Sequence, residues 1–103
     1  MKAMVNLTPH VVRFNGGREI PPSGAVARVA TTYMEVEEGI FTSSFGAVVG
    51  LPAPKSGTIY IVSGVVAAAL PGRPDVYAPA TGHPACVRKD GQVWSVPGLV
   101  KGA

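Results

Sequence analysis

Short runs of alternating apolar and polar residues, each closed by Gly or Pro, make up most of this chain. Residues 3–7 and 11–14 read as two short strands on either side of Thr8-Pro9-His10, because Pro9 removes a backbone donor and pushes Thr8 towards an extended conformation. That kink is expected to display Thr8 and His10. Asn15-Gly16-Gly17 is a turn, residues 18–20 are its hairpin return, and Pro21-Pro22-Ser23-Gly24 stops the strand. From 26 to 36 a period of two with β-forming residues predicts a further strand, which Glu37-Glu38-Gly39 turns into another over 40–49.

Residues 50–57 form a Pro/Gly loop, and Thr58-Ile59-Tyr60-Ile61-Val62 after it is almost wholly β-branched or aromatic, the mark of a buried strand. The core is expected there. Ser63 is a good N-cap, residues 65–70 include three successive alanines, and Pro71-Gly72 closes the segment, which predicts one short helix. Residues 75–78, 85–88 and 92–96 read as extended, the last two joined through Lys89-Asp90-Gly91, where Asp-Gly is a strong hairpin signal. The fold class expected is therefore mainly β, a small antiparallel sheet or barrel with one short helix after Ser63.

Composition narrows this picture. At 103 residues the chain has room for one core, so residues 1–103 are expected to be a single domain. It is 47% hydrophobic and 15% charged, too apolar for intrinsic disorder, while 13 Gly and 10 Pro suit short strands and tight turns. Few charges remain to coat the surface, so apolar area is left over for a partner, and a homo-oligomer is expected. Cys86 is the one cysteine, which excludes an intrachain disulfide and favours the cytoplasm. Neither an export signal nor a membrane anchor is read, since polar residues interrupt the start and the longest apolar stretch, 58–70, is too short to span a bilayer. The net charge of +3 is spread singly along the chain, too thinly for nucleic acid to be an expected partner.

Candidate chemistry is sparse. The 50–57 loop has Walker-like composition, but Lys55-Ser56 precede Gly57 where the motif needs Gly first, and two prolines remove amides that would cradle phosphate. His83, Cys86 and a distant His10 fall short of the four ligands of structural zinc. Ser63, His10 and Asp75 supply the residue types of a hydrolase triad without the G-x-S-x-G elbow. No cofactor is expected, and the balance leans away from an enzyme. The strand-to-helix junction at Ser63 carries two readings. Its hydroxyl either caps the helix alone or also meets an anion, and Arg73 either clamps that anion or pairs with Asp75 two residues on.

Taken in order, Asn6-Leu7-Thr8-Pro9-His10, Pro21-Pro22-Ser23-Gly24 with Ala27-Arg28-Val29, residues 46–54, the run from Gly57-Thr58-Ile59 through Tyr60-Ile61-Val62-Ser63, and Arg73-Pro74-Asp75-Val76 resemble a family of small uncharacterised proteins encoded in bacteriophages, prophages and some bacterial genomes. The resemblance spans almost the whole chain and implies a setting, the host-cell cytoplasm, rather than a chemistry. In that setting the favoured expectation is a binding module for an anionic small molecule, such as a nucleotide signal of host defence, using Thr8, His10, Arg28, Ser63, Arg73 and Asp75 at turns and strand ends. The alternatives are a protein-binding inhibitor, adaptor or structural phage protein with no small ligand, and a small enzyme.

Overall fold

In a computed structural model, which describes residues 3–70 and 72–101, the chain is mainly β with a single short helix. In order, the elements are β1 (Ala3–Asn6), β2 (Val12–Arg13), β3 (Glu19–Ile20), β4 (Arg28–Glu37), β5 (Ile40–Val49), β6 (Thr58–Ile61), α1 (Gly64–Ala68), β7 (Val76–Pro79), β8 (Val87–Lys89), β9 (Gln92–Ser95) and β10 (Leu99–Lys101). Three antiparallel hairpins, β2–β3, β4–β5 and β8–β9, surround a four-stranded sheet of order β1-β6-β7-β10. No closed barrel forms among the described residues. The helix follows Ser63 as expected; of the Pro71-Gly72 stop assigned to it, Pro71 lies outside the described residues.

Inside the central sheet β6 runs parallel to both β1 and β7, and only β10 is antiparallel to its neighbour. Parallel neighbours need a long crossover, and α1 with its flanking loops supplies it between β6 and β7. Sheets of this kind are covered on both faces, which explains why Tyr60, Ile61 and Val62 are all buried instead of alternating with exposed residues. Successive side chains point to opposite faces. Tyr60 and Val62 enter a cluster with Leu7, Ala27, Val66, Ala67, Val76 and Ala78, under α1, while Ile61 enters a second with Val12, Ile20 and Val96, under the small hairpins. The core thus sits where the β-branched run placed it.

The β8–β9 hairpin is fastened to the rest by backbone bonds from Val96 N–H to the Arg13 carbonyl and from Asn15 N–H to the Val96 carbonyl, each 2.8 Å. Asn15 adds a side-chain staple, donating to the Ala85 carbonyl and accepting from the Ser95 hydroxyl. The β4–β5 hairpin is different. Among the described side chains only Val29 and Val48, at its root, pack against the core, and it leaves the body as an arm. At the root Gly50 has φ +83°, and a Cβ there would stand 2.5 Å from the Val26 carbonyl oxygen, so the chain re-enters the body through a position that only glycine fits.

Candidate ligand-binding cleft

The turn after β1 is organised by Asn6, which is 1% exposed. Its amide donates to the carbonyls of His10 (2.8 Å) and Ile20 (2.9 Å), and its Oδ1 accepts from both the N–H (2.9 Å) and the hydroxyl (2.6 Å) of Thr8. An Asn reaching two residues forward in this way forms an Asx turn. The Thr8 side chain is therefore committed and buried, correcting the expectation that the Pro9 kink displays it. Its hydroxyl serves the turn. His10, on the far side of Pro9, is exposed as expected.

Beyond this turn lies an open cleft of about 830 Å³ between residues 8–13 and the β8–β9 hairpin. Thr8, His10 and Ser63 line it, together with Arg13, Thr81, Gln92, Trp94 and Ser95 among the polar and aromatic groups. No acidic residue is among its lining residues. Trp94 marks its wall. The Arg13 guanidinium carbon lies 4.2 Å and the Lys89 ammonium 4.0 Å from the centre of the indole ring, both within cation–π range. Arg13 also donates from Nε to Glu19 at 2.9 Å, an exposed pair that leaves its terminal nitrogens for another acceptor.

Arg73 and Asp75 are not part of this cleft. Tyr60 stands opposite Val76, so Asp75 lies near the entry of the parallel strands, whereas Ser63 lies beyond their exit, roughly 13 Å further along at the rise of a strand. The two residues instead form a bidentate pair, with Arg73 Nε to Asp75 Oδ1 and Nη2 to Oδ2 each at 2.9 Å, and Arg73 also donates to the Pro52 carbonyl at 3.1 Å. The hydrogen bonds from Arg73 hold the Asp75 carboxyl below its ordinary range and Asp75 raises Arg73 in turn. This fork ties the 50–57 loop to the start of β7. It also takes Asp75 away from Ser63 and His10, so the three residue types of a hydrolase triad do not assemble.

Ser63 caps α1 by accepting from Val66 N–H at 3.4 Å. With five residues the helix is too short to make its N-terminus an anion site, so the hydroxyl lines the cleft as a capping group. Arg28 stands elsewhere, on a second groove of about 280 Å³ between the root of the arm and α1, whose lining also includes Thr8 and Ser63. Of the six residues singled out in the sequence, three thus meet in the main cleft, one borders the neighbouring groove and two form a structural ion pair. Arg13, Lys89 and Trp94 were not singled out. Their order in the chain carries no motif, and only the docking of β9 against β2 brings them together.

His83 and Cys86 are also occupied locally, His83 Nδ1 accepting from Ala85 N–H at 3.0 Å and Cys86 half-buried against the second core cluster. Among the described residues no three His, Cys, Asp or Glu side chains are grouped to hold a metal ion, and no helix is long and apolar enough to cross a membrane. Comparison with family models, curated proteins and solved structures finds no match to the chain.

Proposed function

We propose that the protein is a binding module whose cleft takes a small anionic molecule. The observation that carries this reading is the stacking of Arg13 on Trp94 in the wall of an open cleft with no acidic lining residue, with Lys89 over the same indole adding positive charge nearby. An anion entering there meets the Arg13 guanidinium, held over the indole and by Glu19, whose terminal nitrogens are suited to fork onto a phosphate or carboxylate. His10, Thr81 and Gln92 supply hydrogen-bonding groups for the remainder of the ligand. Pockets that combine apolar walls with a few convergent polar groups are the usual sites for small molecules. In the phage setting implied by the sequence resemblance, nucleotides of host-defence signalling are the matching ligand class.

Calorimetry against a panel of linear and cyclic nucleotides tests the proposal. Binding by the wild type is expected to weaken roughly 10- to 150-fold in Arg13→Ala, the loss of a hydrogen bond to a charged group. A similar direction is expected for Trp94→Ala, while Arg73→Ala retains affinity. Failure of every panel member to bind, or equal affinity in the Arg13 and Trp94 variants, would move the assignment to a protein-binding role.

A further inference from the structure

The arm presents a physical problem that the isolated chain does not solve. From 30 to 47 every residue whose side chain is described is exposed on one face or the other, including Tyr33 (71%), Met34 (68%), Val36, Ile40 and Phe41. A two-stranded ribbon alone is marginal in water. Among the described residues both of its long edges are unpaired, and Pro and Lys, which natural edge strands use to repel other strands, are absent from it. The arm also makes the molecule extended: the radius of gyration is 15.3 Å, against about 13 Å for a compact chain of this size.

We propose that the arm is a dimerisation element, in which two copies of this chain pack their arms antiparallel about a two-fold axis and the tip of each enters the groove at the root of the other, beside Arg28. Charge points to a second copy as the occupant. Residues 29–49 carry Glu35, Glu37 and Glu38 and no Lys or Arg, a charge of −3, while the rest of the chain carries +6. Antiparallel packing takes the acidic tip away from its twin and sets it against the base, where Arg28 makes no ion pair among the described residues. The receiving groove is apolar where the tip is apolar, with Val26, Val29 and the exposed Val65 facing Val36, Ile40 and Phe41.

Size agrees. A ribbon about 30 Å long and roughly 10 Å in width and thickness offers on the order of 1,200 Å² of surface. A standard interface buries about 800 Å² per partner. Covering one face and an edge of each arm, with the tip seated in the groove, reaches that figure, and the isologous arrangement closes on itself without leaving a free arm to propagate.

Sedimentation equilibrium at micromolar concentration provides the test, using a pair of complementary charge reversals. Wild type is expected to be a dimer or an even multiple of it. Glu37→Arg combined with Glu38→Arg places positive tips against Arg28, and Arg28→Glu sets the native acidic tips against a carboxylate in the groove of the twin; each is expected to weaken self-association by at least about tenfold. Mixed together, the two variants regain association, because each tip then meets an opposite charge. Unchanged circular dichroism of each variant shows that the fold is retained. A monomeric wild type, association indifferent to both reversals, or a mixture that stays apart overturns the proposal, the first of these pointing to a different protein as the occupant of the arm.

Discussion

The residue that organises the N-terminal half is Asn6, a buried amide with both ends satisfied. It ties together the β1 end, the Thr8–His10 turn and the carbonyl of Ile20 on β3, linking segments that no backbone ladder joins. Replacing it with Ala leaves the buried Thr8 N–H without its acceptor and takes from the Ile20 and His10 carbonyls their side-chain donor. Asn6→Ala is expected to cost about 2 to 3 kcal/mol in urea unfolding, the penalty for a buried polar group left without its partner. Asp75 makes a different residue-scale contribution, one that depends on pH. Its carboxyl is held below the ordinary value by Arg73, so between that depressed value and the unfolded value of about 3.9 the unfolded chain binds more protons than the folded one. Stability from the pair is therefore complete above about pH 4 and is lost as the pH falls through the folded value. Asp75→Asn, costing about 1 kcal/mol at neutral pH as a partly exposed pair, is expected to approach wild-type stability under strongly acid conditions. Denaturant titrations at neutral and low pH compare the two directly.

At the scale of elements, what the sequence makes legible is local. The Asp90-Gly91 turn has positive φ at both residues, 53° and 78°, the geometry for which that dipeptide is favoured, and β8 and β9 flank it as expected. Glu37, Glu38 and Gly39 turn β4 into β5, and Ser63 opens the one helix. The β-branched run 58–62 identifies the core because a strand buried on both faces needs no polar alternation. Pairing between distant segments is what the pattern does not encode. Nothing in residues 3–6, 58–61 and 76–79 states that they lie side by side in parallel, since the same apolar strands would satisfy an antiparallel meander. Strand β10 was missed because three residues after Pro97-Gly98 carry too little pattern. The same division applies to the cleft. Proximity to turns led to Thr8, His10 and Ser63, but Thr8 proved to be committed inside an Asx turn, and Arg13 and Trp94 meet only through tertiary docking. Arg73 and Asp75, two positions apart, pair with each other, the local reading of the two that the sequence offers.

On the scale of the whole molecule the body and the arm obey different rules. The two core clusters draw on β1, β2, β3, β6, α1, β7 and the segments around Ala27 and Val96, and among the described side chains the arm contributes only the half-buried Val29 and Val48 at its root. Its stability is borrowed from a body that gains little from it in return. Excising Tyr33 to Ser43 tests this asymmetry, because Thr32 stands opposite Ser44 and the cut ends can be joined by Asn-Gly in a two-residue hairpin turn without disturbing the register at the root. Val29, Val48 and Gly50 stay in place. The shortened monomer is expected to unfold cooperatively, with a midpoint within about 4 to 8 °C of that of the wild-type monomer, corresponding to a change of no more than about 1 kcal/mol. Melting followed by circular dichroism at a concentration low enough to keep wild type dissociated makes the comparison like for like, since association raises the apparent stability of the wild type alone. A shortened chain that fails to fold would place the arm in the folding unit of the body. One that melts with the wild-type monomer, yet no longer shows the concentration-dependent rise in midpoint expected of the full-length chain, would mark the arm as an element kept for association rather than for the stability of a single copy.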